Sequence, residues 1–420
     1  MLSLQRIRDA PDSVREGARR KGEPAPIDEI LALDGEARQL RTAMENARAE
    51  QRRASAQIRG TVGDEQRAAL GALKARIQED EARLNDLDAR INELLLTVPN
   101  PPHDSVPYGE GDVDNVTVRT WGSKPTFDGF TPRTHYDLGE ALGIFDFERA
   151  AKMSGARFAV LRGEGARLQR ALITFMLDIA TREHGYTEIA PPYLVRREAM
   201  VGTANLPDKE GMAYQTDDDL FLVPTAEVPV TNLYRDEIIE AAQLPIAHVA
   251  HSPCFRREAG AAGRDTRGYI RMHQFDKVEM VRFVEPDTSL DQLDLLVAHA
   301  EAVLQRLGLH YRVLLMCTGD TGFAQWKKFD LEAWAPGLDR WLEVSSCSVY
   351  ADFQSRRASI RYRPVSGGRP QYVHTINGSG LALPRTLAAM LETYQQEDGT
   401  VAIPEALRGY MGGMERLASP

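Results

Sequence analysis

The chain contains few cysteines, three in 420 residues, and none of them form a close pair. Cys254, Cys317 and Cys347 lie far apart, and no Cys-x-x-Cys motif occurs. Zinc sites built on cysteine need such closely spaced pairs, so we expect no structural zinc. Unpaired cysteines are typical of a reducing compartment, and these three are predicted to be small buried residues.

Long hydrophobic runs are also absent, so no membrane-spanning helix is expected. The N-terminal residues interleave charged side chains, such as Arg6, Arg8 and Asp9, with short apolar stretches, unlike a secretory signal. We therefore expect a cytoplasmic protein without a membrane partner. No Gly-x-x-x-x-Gly-Lys segment occurs, so a P-loop nucleotide site is not expected either.

The chain has no overall excess of positive charge that would indicate a protein coated in nucleic acid. Its formal net charge is −10, from 51 basic and 61 acidic residues. A local basic surface remains compatible with this balance. The length of 420 residues, of which 43% are hydrophobic, allows two or three domains and a large core.

Two heptad patterns near the N-terminus predict an antiparallel helical hairpin. The first extends from Ile30 to Ile58 and the second from Leu70 to Val98, with mostly apolar residues three and four positions apart. The segment Gly60-Thr61-Val62-Gly63 separates them and suits a turn. Helices of about 32 residues give an arm roughly 48 Å long, at ~1.5 Å per residue.

The charges of this hairpin are unevenly distributed along its length. Residues 41–76 hold eight basic and four acidic side chains, whereas residues 28–40 and 77–98 together hold three basic and ten acidic ones. A basic tip on an acidic base suits an arm that meets a polyanion at its far end. A coiled coil for dimerisation or spacing is the alternative, and the pattern alone leaves both open.

A proline-rich segment ends the arm, because Pro99-Asn100-Pro101-Pro102 cannot continue a helix. We predict residues 1–98 as the helical arm, 99–112 as a linker and 113–420 as a larger domain. Strands mix with helices in this domain without regular βαβ alternation. That organisation favours an α+β fold with a mostly antiparallel sheet flanked by helices.

The most informative segment is residues 255–280, FRREAGAAGRDTRGYIRMHQFDKVEM. It is predicted to form two strands joined by a loop rich in Gly and Ala, with side chains alternating between the two faces. One face of the second strand is apolar and suits a core. The polar face carries Arg256 and Glu258 from the first strand, and Arg271, Phe275 and Glu279 from the second. Such a face suits an anion, a flat base and an ammonium group.

This segment resembles the second signature motif of class II aminoacyl-tRNA synthetases, in the form found in seryl-tRNA synthetases of the bacterial type. Further segments match that family in order and spacing: Thr225-Ala226-Glu227, Glu343-Val344-Ser345-Ser346, and Asn377-Gly378-Ser379-Gly380 with Pro384-Arg385-Thr386. The resemblance covers essentially the whole chain. It implies that ATP and L-serine form seryl-adenylate, and that serine is then transferred to the 3′-end of tRNA(Ser), and also of tRNA(Sec).

The resemblance also implies a role for individual residues. The catalytic residues are expected to be Arg256 and Arg385. ATP is expected to be bound by Arg256, Glu258, Arg271, Phe275, Glu343, Ser346 and Arg385. Serine is expected to be bound by Thr225, Glu227, Arg256, Glu279 and Ser379. The magnesium ion that accompanies ATP is expected to be held by Glu343 and Ser346.

Two expectations follow from local chemistry as well. Pro384 suits the first position of a helix, which puts Arg385 in the first turn. A cation there opposes the helix dipole unless an anion lies nearby, so a phosphate site is indicated. Glu343 and Ser346, which the resemblance implies hold the same ion, have opposite parity on a strand, so we expect a bulge or a bend between them.

Three histidines could be considered for a catalytic or metal-binding role, but we predict neither role for them. His273 lies on the predicted strand face of Arg271 and Phe275, which would suit a general base. A histidine that braces the sheet through hydrogen bonds is the preferred interpretation. His248 and His251 have no companion ligands and are not predicted to bind a metal.

Partners follow from the resemblance rather than from spacing. Seryl-tRNA synthetases use such an arm to grip the long variable arm of their tRNA. A helix over 167–184, a strand over 186–189 and Pro191-Pro192 resemble the first class II motif, which builds a dimer interface. We therefore expect a homodimer that binds tRNA through its arm.

Two other functions are compatible with parts of this sequence. An inactive paralogue that only binds tRNA would be expected to have lost Arg256, Glu258, Glu279 or Arg385, and all four are present. A ligase that loads an amino acid onto a carrier protein would share the larger domain but lack the long basic-tipped arm. A pure coiled-coil scaffold would leave the polar sheet face unexplained.

Overall fold

A computed structural model of the chain describes residues 1–56, 63–208, 211–258 and 267–419. It divides into two compact units, residues 1–101 and residues 102–420. This division falls inside the segment predicted as a linker. Within the described ranges, no helix is both long enough and apolar enough to cross a membrane.

The N-terminal unit consists of four helices, two of which are long and packed against each other. Their bounds are α1 Leu4–Asp9, α2 Pro11–Arg20, α3 Ile27–Ala56 and α4 Asp64–Thr97. Seam residues such as Ile30, Met44 and Ile91 are buried, as the heptad patterns predict. The predicted turn at residues 60–62 and the seam residue Ile58 lie outside the described residues.

Ion pairs between the two long helices show that they run in opposite directions. Arg41 pairs with Asp88 at 2.5 Å and Arg48 with Glu81 at 3.2 Å, so later positions on α3 meet earlier positions on α4. The predicted antiparallel hairpin is confirmed.

In its described residues, the larger unit combines helices of four to 19 residues with one eight-stranded sheet and four small sheets. Its helices are α5 His135–Ala141, α6 Phe147–Ser154, α7 Glu164–Arg182, α8 Arg197–Gly202, α9 Glu227–Thr231, α10 Ser289–Arg306, α11 Phe353–Arg357, α12 Leu383–Thr393 and α13 Glu405–Arg408. Its strands are β1 Val116–Trp121, β2 Phe145–Asp146, β3 Val160–Leu161, β4 Thr187–Glu188, β5 Leu194–Arg196, β6 Tyr214–Gln215, β7 Leu220–Leu222, β8 Ile238–Glu240, β9 Ile246–Phe255, β10 Gln274–Val284, β11 Tyr311–Leu315, β12 Lys327–Ala335, β13 Arg340–Val349, β14 Arg361–Arg363, β15 Gln371–Tyr372, β16 His374–Ala382, β17 Val401–Ala402 and β18 Arg416–Leu417.

Eight strands form the main sheet in the order β1-β11-β12-β13-β16-β10-β9-β4. Every pair is antiparallel except β4 with β9, so the predicted mostly antiparallel sheet is confirmed. The helix predicted over 167–184 is α7, which begins three residues and ends two residues earlier than predicted, and α10 lies beside it. Their apolar stripes cover one face of the sheet and form the core with residues such as Val278 and Met280. The three cysteines are free and buried, as predicted.

The prediction that Arg256, Glu258 and Arg271 lie on regular strands is wrong. Strand β9 ends at Phe255 and β10 begins only at Gln274. Glu258 has a positive φ of 51°, which no regular strand allows. The amide of Tyr269 donates to His135 Nε2 at 3.0 Å instead of to a neighbouring strand. The loop predicted to join the strands falls mostly on residues 259–266, outside the described residues.

Gly378 on β16 sits where α10 and β13 approach the strand most closely. A Cβ atom there would lie 2.5 Å from Leu296 Cδ2, 2.8 Å from Cys347 Sγ and 3.1 Å from Cys347 Cα, so both side chains would have to shift and the Cys347 backbone would have to adjust slightly. We expect Gly378→Ala to lower the free energy of unfolding by about 1–3 kcal/mol. All four tryptophans belong to the larger unit, so denaturation followed by tryptophan fluorescence measures it.

Gly409→Ala is the matched control for this prediction, because a Cβ atom at Gly409 meets nothing within 4 Å. An unchanged midpoint is expected for the control. Equal stability of Gly378→Ala and the unsubstituted protein would contradict the proposed close packing.

Candidate active site

The residues predicted to bind substrates meet in one cavity of the larger unit, with a volume of about 250 Å³. It lies at the end of β9, along β10, β13 and β16, and beside the start of α12. Every predicted site residue lines it: Thr225, Glu227, Arg256, Glu258, Arg271, Phe275, Glu279, Glu343, Ser346, Ser379 and Arg385. The sheet therefore gathers segments that are far apart in the sequence.

A β-bulge brings Glu343 and Ser346 of β13 to the same cavity. Leu331 and Glu332 are neighbours on β12, but their partners on β13, Ser345 and Glu343, are two residues apart. Val344 therefore has no partner on β12. Residues three positions apart on a regular strand point to opposite faces, and one extra residue restores the same face. The bulge predicted from their parity is confirmed.

Arg385 lies in the first turn of α12, as predicted, although Pro384 is the second residue of the helix rather than the first. Its Nη1 lies 3.1 Å from Glu343 Oε2 and donates to the Glu343 carbonyl oxygen at 2.9 Å. This carboxylate offsets the unfavourable position of a cation at a helix N-terminus. Burial acts to raise the pKa of the Glu343 carboxyl, but the charges of Arg385, Lys328 and Arg256 hold it below its ordinary value.

The wall formed around the start of β10 carries two guanidinium groups, a ring and a carboxylate. The Arg256 guanidinium lies 5.2 Å from the centre of the Phe275 ring, and its Nε donates to the Pro224 carbonyl oxygen at 3.3 Å. Arg271 Nη1 lies 2.7 Å from Glu258 Oε2. Cation–π contact and ion pairing thus keep both arginines at the cavity although neither lies on a strand.

Two further carboxylates of the cavity have different partners. Lys277 Nζ lies 2.5 Å from Glu279 Oε2, which also accepts a hydrogen bond from Ser379 Oγ at 3.4 Å. Glu227 instead accepts from the side-chain amide of Gln354, with 2.7 Å between Nε2 and Oε1. Burial and the nearby charge of Glu279 raise the pKa of Glu227. One carboxylate is therefore paired with a protein cation and the other is held by a neutral amide.

Several residues that line the cavity were given no site role from the sequence: Lys277, Gln325, Ser345, Ser348, Tyr350 and Asn377. Lys277 shares a face of β10 with Phe275 and Glu279, so strand alternation could have found it. No spacing in the sequence pointed to Gln325 or Tyr350.

The histidines make hydrogen bonds that brace the fold. His273 Nδ1 lies 2.9 Å from the Arg256 carbonyl oxygen and 3.2 Å from the Tyr214 hydroxyl, and its ring does not line the cavity. His248 Nε2 bonds to the Tyr234 hydroxyl at 2.8 Å. These contacts support the bracing role preferred for His273.

Comparison with known proteins identifies the family. Residues 1–102 match the model described as seryl-tRNA synthetase N-terminal domain, and residues 212–394 match tRNA synthetase class II core domain (G, H, P, S and T). Serine–tRNA ligase of Thermomicrobium roseum is 55% identical over 422 residues, which cover 99% of this chain and 95% of the relative. This chain belongs to the seryl-tRNA synthetase family.

Other members of the seryl-tRNA synthetase family agree with this assignment. Serine–tRNA ligase of Caldanaerobacter subterraneus is 52% identical, with 98% of both chains covered. The crystal structure of seryl-tRNA synthetase from Pyrococcus horikoshii complexed with ATP superposes with a TM-score of 0.95 at 38% identity, over all of both chains. Cytoplasmic serine–tRNA ligase from Naegleria fowleri in complex with AMP gives 0.90 at 29% identity, over 100% of this chain and 99% of that one.

The class II fold itself extends beyond the seryl-tRNA synthetase family. Prolyl-tRNA synthetase of Giardia lamblia, at 14% identity, superposes with a TM-score of 0.58 over 67% of this chain and 56% of its own. The predicted class II sheet, flanked by helices and preceded by a helical hairpin, is confirmed.

Proposed function

We propose that this chain is a serine–tRNA ligase that makes seryl-adenylate from L-serine and ATP and transfers the seryl group to tRNA(Ser). The observation that carries the proposal is one cavity in which Arg256 and Arg385 lie together with Glu227 and Glu279. The arginines suit the phosphates of ATP, and the carboxylates suit the ammonium and hydroxyl groups of serine.

Activation needs positioning and charge neutralisation rather than a protein base. The carboxylate of serine is ionised at neutral pH and attacks the α-phosphorus of ATP, while pyrophosphate leaves on the opposite side. Arg256 grips the α-phosphate and the serine carboxylate. Arg385 and Arg271 bind the outer phosphates and stabilise the charge that develops on pyrophosphate.

The base of ATP has two protein partners in this proposal. Phe275 stacks on the adenine, and Glu258 accepts a hydrogen bond from its amino group. The ion pairs of Arg271 with Glu258 and of Arg385 with Glu343 keep these side chains at the cavity wall. Phosphate oxygens compete for the same guanidinium donors when ATP binds.

Besides Arg256, serine is held by four residues from three other segments. Thr225, Glu227, Glu279 and Ser379 line the part of the cavity where the two carboxylates lie. Carboxylates accept from both the ammonium group and the side-chain hydroxyl. A substrate without that hydroxyl leaves a buried acceptor unpaired, which discriminates against alanine.

Glu343 and Ser346 fit a magnesium ion that arrives with ATP. Magnesium takes oxygen ligands and uses one or two carboxylates together with substrate phosphates. The bulge directs a carboxylate and a hydroxyl into the same cavity. When bound, the ion neutralises charge on the phosphates, and Glu343 and Ser346 orient it.

The basic tip of the hairpin binds tRNA in this proposal. Among the described residues of the hairpin, Arg52, Arg53 and Lys74 are exposed and have no acidic partner. The proposal includes tRNA(Sec) as a second substrate, residues 1–98 as the tRNA-binding domain and residues 113–420 as the catalytic domain. It also includes a cytoplasmic homodimer, whose interface involves the region of α7 and β4.

Pyrophosphate exchange into ATP, measured with each amino acid in turn and without tRNA, tests the activating step. We expect exchange with serine, and at least 10²-fold lower kcat/KM with alanine because of the unpaired acceptor. Addition of tRNA(Ser) transcript and labelled serine then tests the transfer.

The possible failures of this experiment are informative. Folded protein that binds tRNA without any exchange would indicate an inactive paralogue. Exchange with alanine or glycine in preference to serine would indicate a carrier-protein ligase.

A further inference from the structure

Gln354, at the start of α11, is fully buried, and both ends of its side-chain amide form hydrogen bonds within the protein. Its Nε2 donates to Glu227 Oε1 at 2.7 Å and to the Thr203 carbonyl oxygen at 3.3 Å. Its Oε1 accepts from Thr375 Oγ1 at 2.7 Å. Gln354 does not itself line the substrate cavity, whereas Glu227 does.

The chemistry of these partners fixes the orientation of the amide. An ionised carboxylate and a backbone carbonyl can only accept hydrogen bonds, so the NH₂ end of Gln354 must face Glu227 and Thr203. The Thr375 hydroxyl can donate, and it meets the oxygen end. Rotating the amide by half a turn would set its oxygen against the Glu227 carboxylate and the Thr203 carbonyl oxygen, so these two acceptors fix which way the amide faces. The Thr375 hydroxyl then holds the oxygen end in place.

The Gln354 amide is the side-chain group that favours the charged form of Glu227 most, ahead of the charge of Lys277 and the side chain of Asn377. Glu279 is paired with Lys277, but no ion pair is formed by Glu227 among the described residues. Its carboxylate is buried in the cavity beside a second carboxylate. A donor from behind offsets part of the cost of that buried charge and fixes the direction of the other carboxylate oxygen.

The hydrogen bond to Thr203 links the same amide to the lining of a second, neighbouring cavity. Thr203, Ala204 and Asn205 line a cavity of about 200 Å³ that also includes Glu227 and adjoins the substrate cavity through Gln325 and Tyr350. The second N–H of Gln354 therefore ties this loop to the carboxylate that faces the substrate.

We propose that Gln354, locked by Thr375, is a positioning residue that sets the affinity for serine by aiming Glu227 at the substrate. This inference rests on the proposed serine activation. It assigns a role to two side chains that need not touch any substrate.

Pyrophosphate exchange with separate titrations of serine and ATP tests the inference on the full-length protein. Gln354→Met keeps the size of the side chain and removes its donors. We expect KM for serine to rise roughly 10- to 100-fold, as for loss of a buried hydrogen bond to a charged group, with KM for ATP changed less than about two-fold. Thr375→Val should raise KM for serine in the same direction, and Thr375→Ser should restore it.

Gln395→Met is the matched control, because Gln395 is also buried and, in the described part of the chain, its amide bonds only to backbone groups outside the cavity. It should lower thermal stability without raising KM for serine. Equal rises in both KM values, or a serine effect in the Gln395 variant, would overturn the proposal. If Gln354→Met fails to fold, the KM values for serine and ATP of the two Thr375 variants test the proposal by the same criteria.

The failure of this inference and that of the proposed function give different results. Absence of serine-dependent exchange in the unsubstituted protein would contradict the proposed function. Normal exchange there, with unchanged KM for serine in the Gln354 and Thr375 variants, would remove only the role of Gln354.

Discussion

Replacing Arg256 with alanine is expected to lower kcat of serine-dependent pyrophosphate exchange by about 10³-fold. Its guanidinium lies against the Phe275 ring at the centre of the cavity and is the group proposed to hold both the α-phosphate and the serine carboxylate. Charge on the phosphate oxygens increases during the reaction, so the interaction is stronger in the transition state than with bound substrates. The loss should therefore appear mainly in kcat rather than in KM.

Arg257→Ala is the matched control for this prediction. Arg257 follows Arg256 directly, but it is exposed, lies 5.1 Å from the Tyr214 ring and does not line the cavity. Exchange by the Arg257 variant should stay within about two-fold of the unsubstituted rate, as is usual for exposed positions. Comparable losses in the two variants would show that general basic charge matters rather than the position of Arg256.

Removing the three unpaired basic residues at the tip of the hairpin is expected to raise KM for tRNA by about 10²-fold. The combined variant Arg52→Ala, Arg53→Ala and Lys74→Ala removes three exposed cations that have no acidic partner among the described residues. Cations that neutralise phosphates release counterions, so the dependence of tRNA binding on salt should weaken by roughly one unit of slope for each cation removed. Exchange without tRNA should remain unchanged, because the substitutions lie outside the catalytic unit.

The base of the hairpin supplies a matched control. Arg83 pairs with Glu36 and Arg90 pairs with Glu29, so their charges are already used within the hairpin. The variant with Arg83→Ala and Arg90→Ala should retain nearly all tRNA affinity. An equal loss of affinity in this variant would contradict localised recognition at the tip and favour a structural role for the hairpin.

The helical hairpin could be predicted from the chain alone, and the bulge at Val344 could be predicted once the family resemblance placed Glu343 and Ser346 in one site. A helix buries residues three and four positions apart, so its seam can be found from local spacing alone. The bulge followed from parity, because two residues of opposite parity were expected in one site. The site residues came from four short segments whose resemblance to a known family specified their order.

Which partners those residues have could be seen only in the folded chain. Arg271 and Glu258 proved to lie off the strands: Glu258 has a positive φ, and the amide of Tyr269, two residues before Arg271, donates to His135 Nε2. The hydrogen bond between Gln354 and Glu227 exists only because α9, α11 and β16 meet beside the cavity. Partners so distant in sequence share no periodicity, so hydrogen bonds between buried groups become visible only when the packed fold brings donor and acceptor together.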